Sequence, residues 1–131
     1  MITKVESTKA PKAIGPYSQA LTISIHQRLI FVSGQLPLDP DTGELIQGDI
    51  RTQTQAILNT IEAILHEAGS DFKHVVRVEI FLTDLKNFAI VNEEYAKKIN
   101  VNTPPARQTI EVSALPKGAN IEISCIAISR L

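Results

Sequence analysis

A chain of 131 residues, 44% hydrophobic and 21% charged, is one domain's worth and long enough to bury its own core. Its formal net charge of -1, with no run of like charges, argues against a dedicated nucleic-acid binder, which usually shows a basic face or tail. No apolar stretch approaches the roughly 20 residues that span a bilayer, and residues 1–6 lack the apolar core of a signal peptide, so a cytoplasmic protein without a membrane partner is expected.

Residues 1–16 are polar and end in Gly15-Pro16, a loop signal. Leu21, Ile23 and Ile25 then alternate with Thr22 and Ser24, and Leu29-Ile30-Phe31-Val32 is a second β-rich run. The short break His26-Gln27-Arg28 between them predicts a hairpin, although it lacks the usual Asn-Gly or Gly pair. Residues 36–43, with two prolines, two aspartates and Gly43, form a turn-rich loop. Asp49 is a helix N-cap; Ala56, Ile57, Ile61, Ile64, Leu65 and Ala68 repeat at helical spacing, and Gly69 closes the helix. Val76, Val78, Ile80 and Leu82 mark a strand. A second helix starts at Thr83 or Asp84 with the apolar line Phe88, Val91, Tyr95 and Ile99. Pro104-Pro105 interrupts any helix or ladder. Two strands follow, Arg107 to Val112 and Ile121 to Ser129, joined by a loop around Pro116, Lys117 and Gly118.

The order β-β-α-β-α-β-β predicts a single two-layer α+β domain over residues 1–131, with both helices on one face of the sheet. Period-two alternation then sends Val76, Val78, Ile80, Leu82, Ile110, Val112, Ile121 and Ile123 towards the helices. Arg107, Thr109, Glu111, Glu122 and Ser124 fall on the opposite face, together with Phe81, Ile126 and Ile128. That mixed face suits a second copy of the chain in a symmetric oligomer; the alternative is a solvated antiparallel face.

Arg107 is the candidate of most interest, because a rigid proline pair delivers it to the mouth of a strand. A guanidinium so held suits the two-pronged grip of a carboxylate or phosphate. Glu122, expected on a neighbouring segment and the same face, could handle a proton or a water; the bland reading of the two is a cross-strand salt bridge. Cys125 sits in an apolar strand and reads as a buried, inert thiol. His26, His66 and His74 show no zinc spacing. Ser33-Gly34 lacks a nucleophile-elbow pattern, and no phosphate-binding glycine loop is present. Asp39 and Asp41 do not fit a calcium loop. Tyr17, at a strand start, reads first as packing, with a hydroxyl that could reach a pocket edge.

The segments Ala13-Ile14-Gly15-Pro16-Tyr17-Ser18, Ser33-Gly34-Gln35, Asp84-Leu85, Phe88, Val91-Asn92, Pro105-Ala106-Arg107, Glu111-Val112, Leu115-Pro116-Lys117 and Ile121-Glu122-Ile123 together resemble the YjgF/RidA family of reactive-imine deaminases over nearly the whole chain. The resemblance implies a chorismate-mutase-like homotrimer, its sheets forming a central barrel with sites between subunits. It implies hydrolysis of 2-imino acids such as 2-iminobutanoate and 2-iminopropanoate, and of their enamine tautomers, to 2-keto acids and ammonia, with no metal or organic cofactor. Carried over, Arg107 would grip the substrate carboxylate and Glu122 would position the water or pass a proton. Backbone groups at Gly34 and Thr109 would orient substrate and water, while Tyr17, from a neighbouring subunit, and Asn92 would shape the wall. Gln108, Thr109 and Ser124 depart from commoner family residues and bear on substrate preference. Rival readings are a carboxylate-sensing or chaperone-like module and, ranked last on charge, an endoribonuclease.

Overall fold

The structure is a computed structural model describing residues 1–24 and 26–130, so Ile25, expected in a strand, lies outside the described residues. Eight regular elements follow one another: β1 Ile2–Val5, β2 Ala20–Ile23, β3 Leu29–Gln35, α1 Ile50–Glu67, β4 Val75–Leu82, α2 Phe88–Ala96, β5 Ala106–Glu111 and β6 Ile121–Ile128. Four strands form the main sheet in the order β3-β6-β4-β5, with β6 antiparallel to both neighbours and β4 parallel to β5. The parallel pair requires a crossover, which α2 supplies.

The expected hairpin between the first two strands is not formed. β2 pairs with β1, Ile2 opposite Ile23 and Val5 opposite Ala20, while β3 pairs with β6. The 26–28 break carries no residue suited to the positive φ of a tight reversal. β1 escaped notice because three of its four residues are exposed, which leaves no hydrophobic period to read.

α1 forms as its sequence dictates. The Asp49 side chain accepts a bond from the Thr52 amide at 2.9 Å, and Gly69 closes the helix with φ of +77°. Ile57, Leu58, Ile61 and Leu65 of α1 pack with Val91 and Tyr95 of α2 against Val78, Ile80 and Leu82 of β4 and Ile121 and Ile123 of β6. Asp84 caps a single turn at Leu85–Asn87, and α2 proper begins only at Phe88.

Two strand faces depart from simple alternation. In β4 a register shift falls between Val75 and Arg77, so Val75 is buried where Val76 was expected. In β5 the expected faces are reversed: Arg107 pairs with Val78, Thr109 with Ile80 and Glu111 with Leu82. Paired residues share a face, so these polar side chains lie on the helix side, and Ile110, 37% exposed, lies on the open side. Glu111 confirms the sense, accepting the Leu85 amide at 3.0 Å just before α2. Alternation misleads here because the open face is itself apolar: Phe31, 71% exposed, pairs with Ile126, and Phe81 shares that side.

The two helices are tied by charge. Glu94 is only 3% exposed, yet its carboxylate receives Gln55 of α1 at 2.9 Å, Lys97 at 2.9 Å and Arg51 of α1, whose other nitrogen reaches Glu93 at 2.7 Å. These bonds, that from Gln55 foremost, hold the Glu94 carboxyl down to about 2. A depressed carboxylate stabilises the fold above its ordinary pKa and loses that contribution as pH falls towards the native one. Denaturant unfolding should therefore show wild type more stable than Glu94→Gln at neutral pH, with the gap narrowing from about pH 4.5 down to about 2. A gap independent of pH would refute the ionic origin.

Candidate functional site

The site begins with how the chain delivers Arg107. Pro104 and Pro105 are both buried, and their carbonyls accept bonds from Ser18: the hydroxyl donates to Pro104 and the amide to Pro105 at 3.1 Å. The proline pair thus fastens the Gly15–Ser18 segment to the start of β5 and sets Tyr17 beside Arg107. The Arg107 guanidinium carbon lies 5.9 Å from the Tyr17 ring centre, 5.5 Å from Phe88 and 5.3 Å from Tyr95. Cation-π attraction at these distances favours the charged group despite its partial burial. Arg107 Nη1 donates to Asn92 Oδ1 at 2.5 Å. Desolvation pushes the guanidinium below its usual range, opposed by Tyr95 and Tyr17, but arginine stays a cation throughout the physiological range. Of five N–H donors, one has a side-chain partner among the described residues.

The surrounding hydroxyls are unusual. The hydroxyls of Tyr95, 0% exposed, and of Thr109, two residues beyond Arg107 on the same face, are buried with no hydrogen-bond partner among the described residues. Burial pushes the Tyr95 phenol up, so it remains protonated. Cys125, level with Arg107 across Val78, is buried as expected, and burial pushes its thiol up to about 12.

Glu122 is elsewhere. β4 separates β5 from β6, and Phe81 pairs with Ile110 on one side and Glu122 on the other. Two strand spacings and a three-residue offset put the Arg107 and Glu122 Cα atoms roughly 14 Å apart, with side chains on opposite faces. The expectation that they share a face on neighbouring segments is therefore corrected. Glu122 instead meets Gly34, where β3 shifts register between Val32 and Gln35. A Cβ at Gly34 would lie 2.8 Å from Glu122 Cδ and overlap its carboxylate oxygen, so the glycine makes room for this side chain.

The six sequence-predicted residues thus fall into two groups. Arg107, Asn92, Tyr17 and Thr109 gather on the helix side; Glu122 and Gly34 gather on the open face. Sequence reasoning gave Phe88 and Tyr95 no place in the site, reading both as part of the apolar line of the second helix. Their signal was the i, i+4, i+7 spacing with Asn92, which makes one stripe on α2. A neighbouring cleft of about 570 Å³ under the N-terminal segment shares Tyr17 and Pro104 in its wall but is otherwise lined by groups such as Lys4, Glu6 and Lys12, away from both sets. Among the described residues, no three His, Cys, Asp or Glu side chains cluster as metal ligands would.

The Gly34 contact is directly testable. Gly34→Ala should keep the Tm within a few degrees, because a half-exposed carboxylate can swing aside, while a crystal structure of the variant should show Glu122 in a new rotamer. An unmoved Glu122 would contradict the close approach.

The family described as Endoribonuclease L-PSP matches residues 7–129. Protein DfrA of Myxococcus xanthus is 50% identical over 125 residues, 95% of this chain and 94% of its own. The 2-iminobutanoate/2-iminopropanoate deaminase of Bos taurus is 43% identical over 129 residues, 98% of this chain and 91% of its own. Among solved structures, a protein of the conserved Rid family from Yersinia pestis superimposes with a TM-score of 0.74 at 44% identity, covering 98% of this chain and 99% of that one. A match spanning almost the whole chain in sequence and in fold makes this protein a member of the YjgF/RidA family.

Proposed function

We propose that the protein is a hydrolytic deaminase of 2-imino acids and their enamine tautomers, releasing a 2-keto acid and ammonia. The observation that carries this reading is the Arg107 seat: a half-buried guanidinium braced by Asn92 and three rings, with parallel N–H donors to spare for a carboxylate. The bovine relative's name supports the substrate class. In this mechanism Arg107 holds the substrate carboxylate, which fixes the adjacent C=N carbon. Water adds to that carbon and a proton passes to nitrogen. The carbinolamine then expels ammonia and leaves the keto group. An imine is already electrophilic, so positioning and proton transfer suffice without a strong nucleophile.

The proton-handling carboxylate is Glu122, and it cannot come from the chain that supplies Arg107. In this reading the open face, with Phe31, Ile110 and Ile126, packs on another copy in a homotrimer, bringing the Gly34–Glu122 pair of one subunit to the Arg107 seat of the next. Tyr17, expected from a neighbouring subunit, is instead placed by Ser18 beside the Arg107 of its own chain.

A second reading, a carboxylate-sensing module, draws on one observation: the Arg107 seat is assembled within a single chain, while Glu122 lies on the other face. The endoribonuclease reading, which the family's description invites, ranks behind both on the charge of -1.

Turnover separates these readings. With 2-iminobutanoate generated in place by threonine dehydratase, wild type should accelerate keto-acid appearance; no acceleration would defeat the deaminase reading. Arg107→Ala should lose activity, and Glu122→Ala should lose about a hundredfold or more. Mixed, co-refolded Arg107→Ala and Glu122→Ala subunits should regain activity that neither has alone, because some sites would then be intact. A mixture as inactive as its parts would place both residues in one subunit.

A further inference from the structure

Helix α2 works on two sides. Phe88, Asn92 and Tyr95 form the stripe that meets Arg107. Glu94, about 130° round the helix from the centre of that stripe, meets Arg51 and Gln55 of α1. The helix has nine residues, and Asn87 at its start makes no side-chain capping bond. A helix that short has little stability of its own, so tertiary contacts set where it lies and how it is rotated. Its one buried charged group is Glu94, which takes donors from α1 and from its own Lys97.

We propose that Glu94, clamped by Arg51 and Gln55, is a positioning residue for the Arg107 seat, fixing the rotation of α2 and hence the place of Asn92 and Tyr95 against the guanidinium. The clamp touches no ligand. It acts through the 2.5 Å Asn92–Arg107 bond and the ring beneath, whose aim a bidentate carboxylate grip requires to within about 0.5 Å. Buried and ionised, Glu94 resists displacement more strongly than an apolar contact would, because any slip strands a charge away from water. The proposal rests on the reading of Arg107 as a carboxylate seat.

The test uses pyruvate binding by calorimetry, which needs no turnover. Wild type should bind pyruvate and Arg107→Ala should not. Glu94→Gln, nearly isosteric, should weaken binding about tenfold and raise KM in the turnover assay with kcat nearly unchanged. Asp71→Ala, which removes the cap of the Phe72–His74 turn and bonds to neither α1 nor α2, serves as the control: it should lower Tm yet leave pyruvate affinity as in wild type. Wild-type affinity in Glu94→Gln would overturn the clamp and leave the deaminase reading standing. Equal weakening by Glu94→Gln and Asp71→Ala would also overturn it, as general loosening. Failure of wild type to bind pyruvate would overturn the carboxylate seat and the clamp together.

Discussion

A guanidinium that is half withdrawn from water cannot shed its charge, and the helix side of this molecule is organised around that constraint. Arg107 stands at the edge of the sheet with Val78 beside it in the core layer. Left alone there, it would carry a large desolvation cost. Three ring faces and one amide oxygen offset the cost without neutralising the cation, because none of them is an anion. A carboxylate partner within the chain would have stabilised Arg107 more and left it spent. The acidic groups of the neighbourhood are engaged elsewhere, Glu94 with α1 and Glu111 with the Leu85 amide. The cation is therefore held in place and still open to an anion.

Holding it depends on contacts distant in sequence. Ser18 reaches Pro104 and Pro105 across 86 residues of chain, and this fastening puts Tyr17 against the guanidinium. The proline pair thus works twice: it sets the entry of β5, and its carbonyls receive the segment that carries a wall of the seat. From the other side α2 arrives through the parallel β4-α2-β5 crossover, which lays a helix over the strands it joins. The seat is where these two routes meet.

Much of this was legible in the sequence, and the failures have physical causes. Asp49 and Gly69 bracket α1 because capping chemistry is local and acts through the same few atoms everywhere. Arg107 stood out because the proline pair just before it can continue no helix or ladder, so a new strand must begin beside it. β5 was misjudged in its facing because alternation reports which residues are apolar, not which side is wet. With Phe31, Phe81 and Ile126 on the open side, both faces of this sheet carry apolar groups, and the rule lost its reference. The error carried into the site, since pairing Arg107 with Glu122 rested on that face and on adjacency that β4 interrupts. Strand order is a tertiary property and left no mark in the local pattern. Tyr95 hid for a related reason: an aromatic at a buried helical position looks like core whether or not a cation rests on its ring.

The separation of Arg107 from Glu122 bears on chemistry as well as on topology. A carboxylate in contact with the guanidinium would compete with the substrate's own carboxylate for the same donors, and the favourable pair would be the resting one. Placing the two on opposite faces of one sheet removes that competition within the chain. Gly34, by yielding room to Glu122 on the far side, keeps the carboxylate from needing any other space. If the two groups act on one substrate, as proposed, each folded chain holds half of two different sites, and the apolar open face supplies the force that joins them. In that reading substrate enters between a cation from one chain and an anion from the next. It can present its carboxylate to one and its nitrogen to the other, which is the polarity a 2-imino acid has.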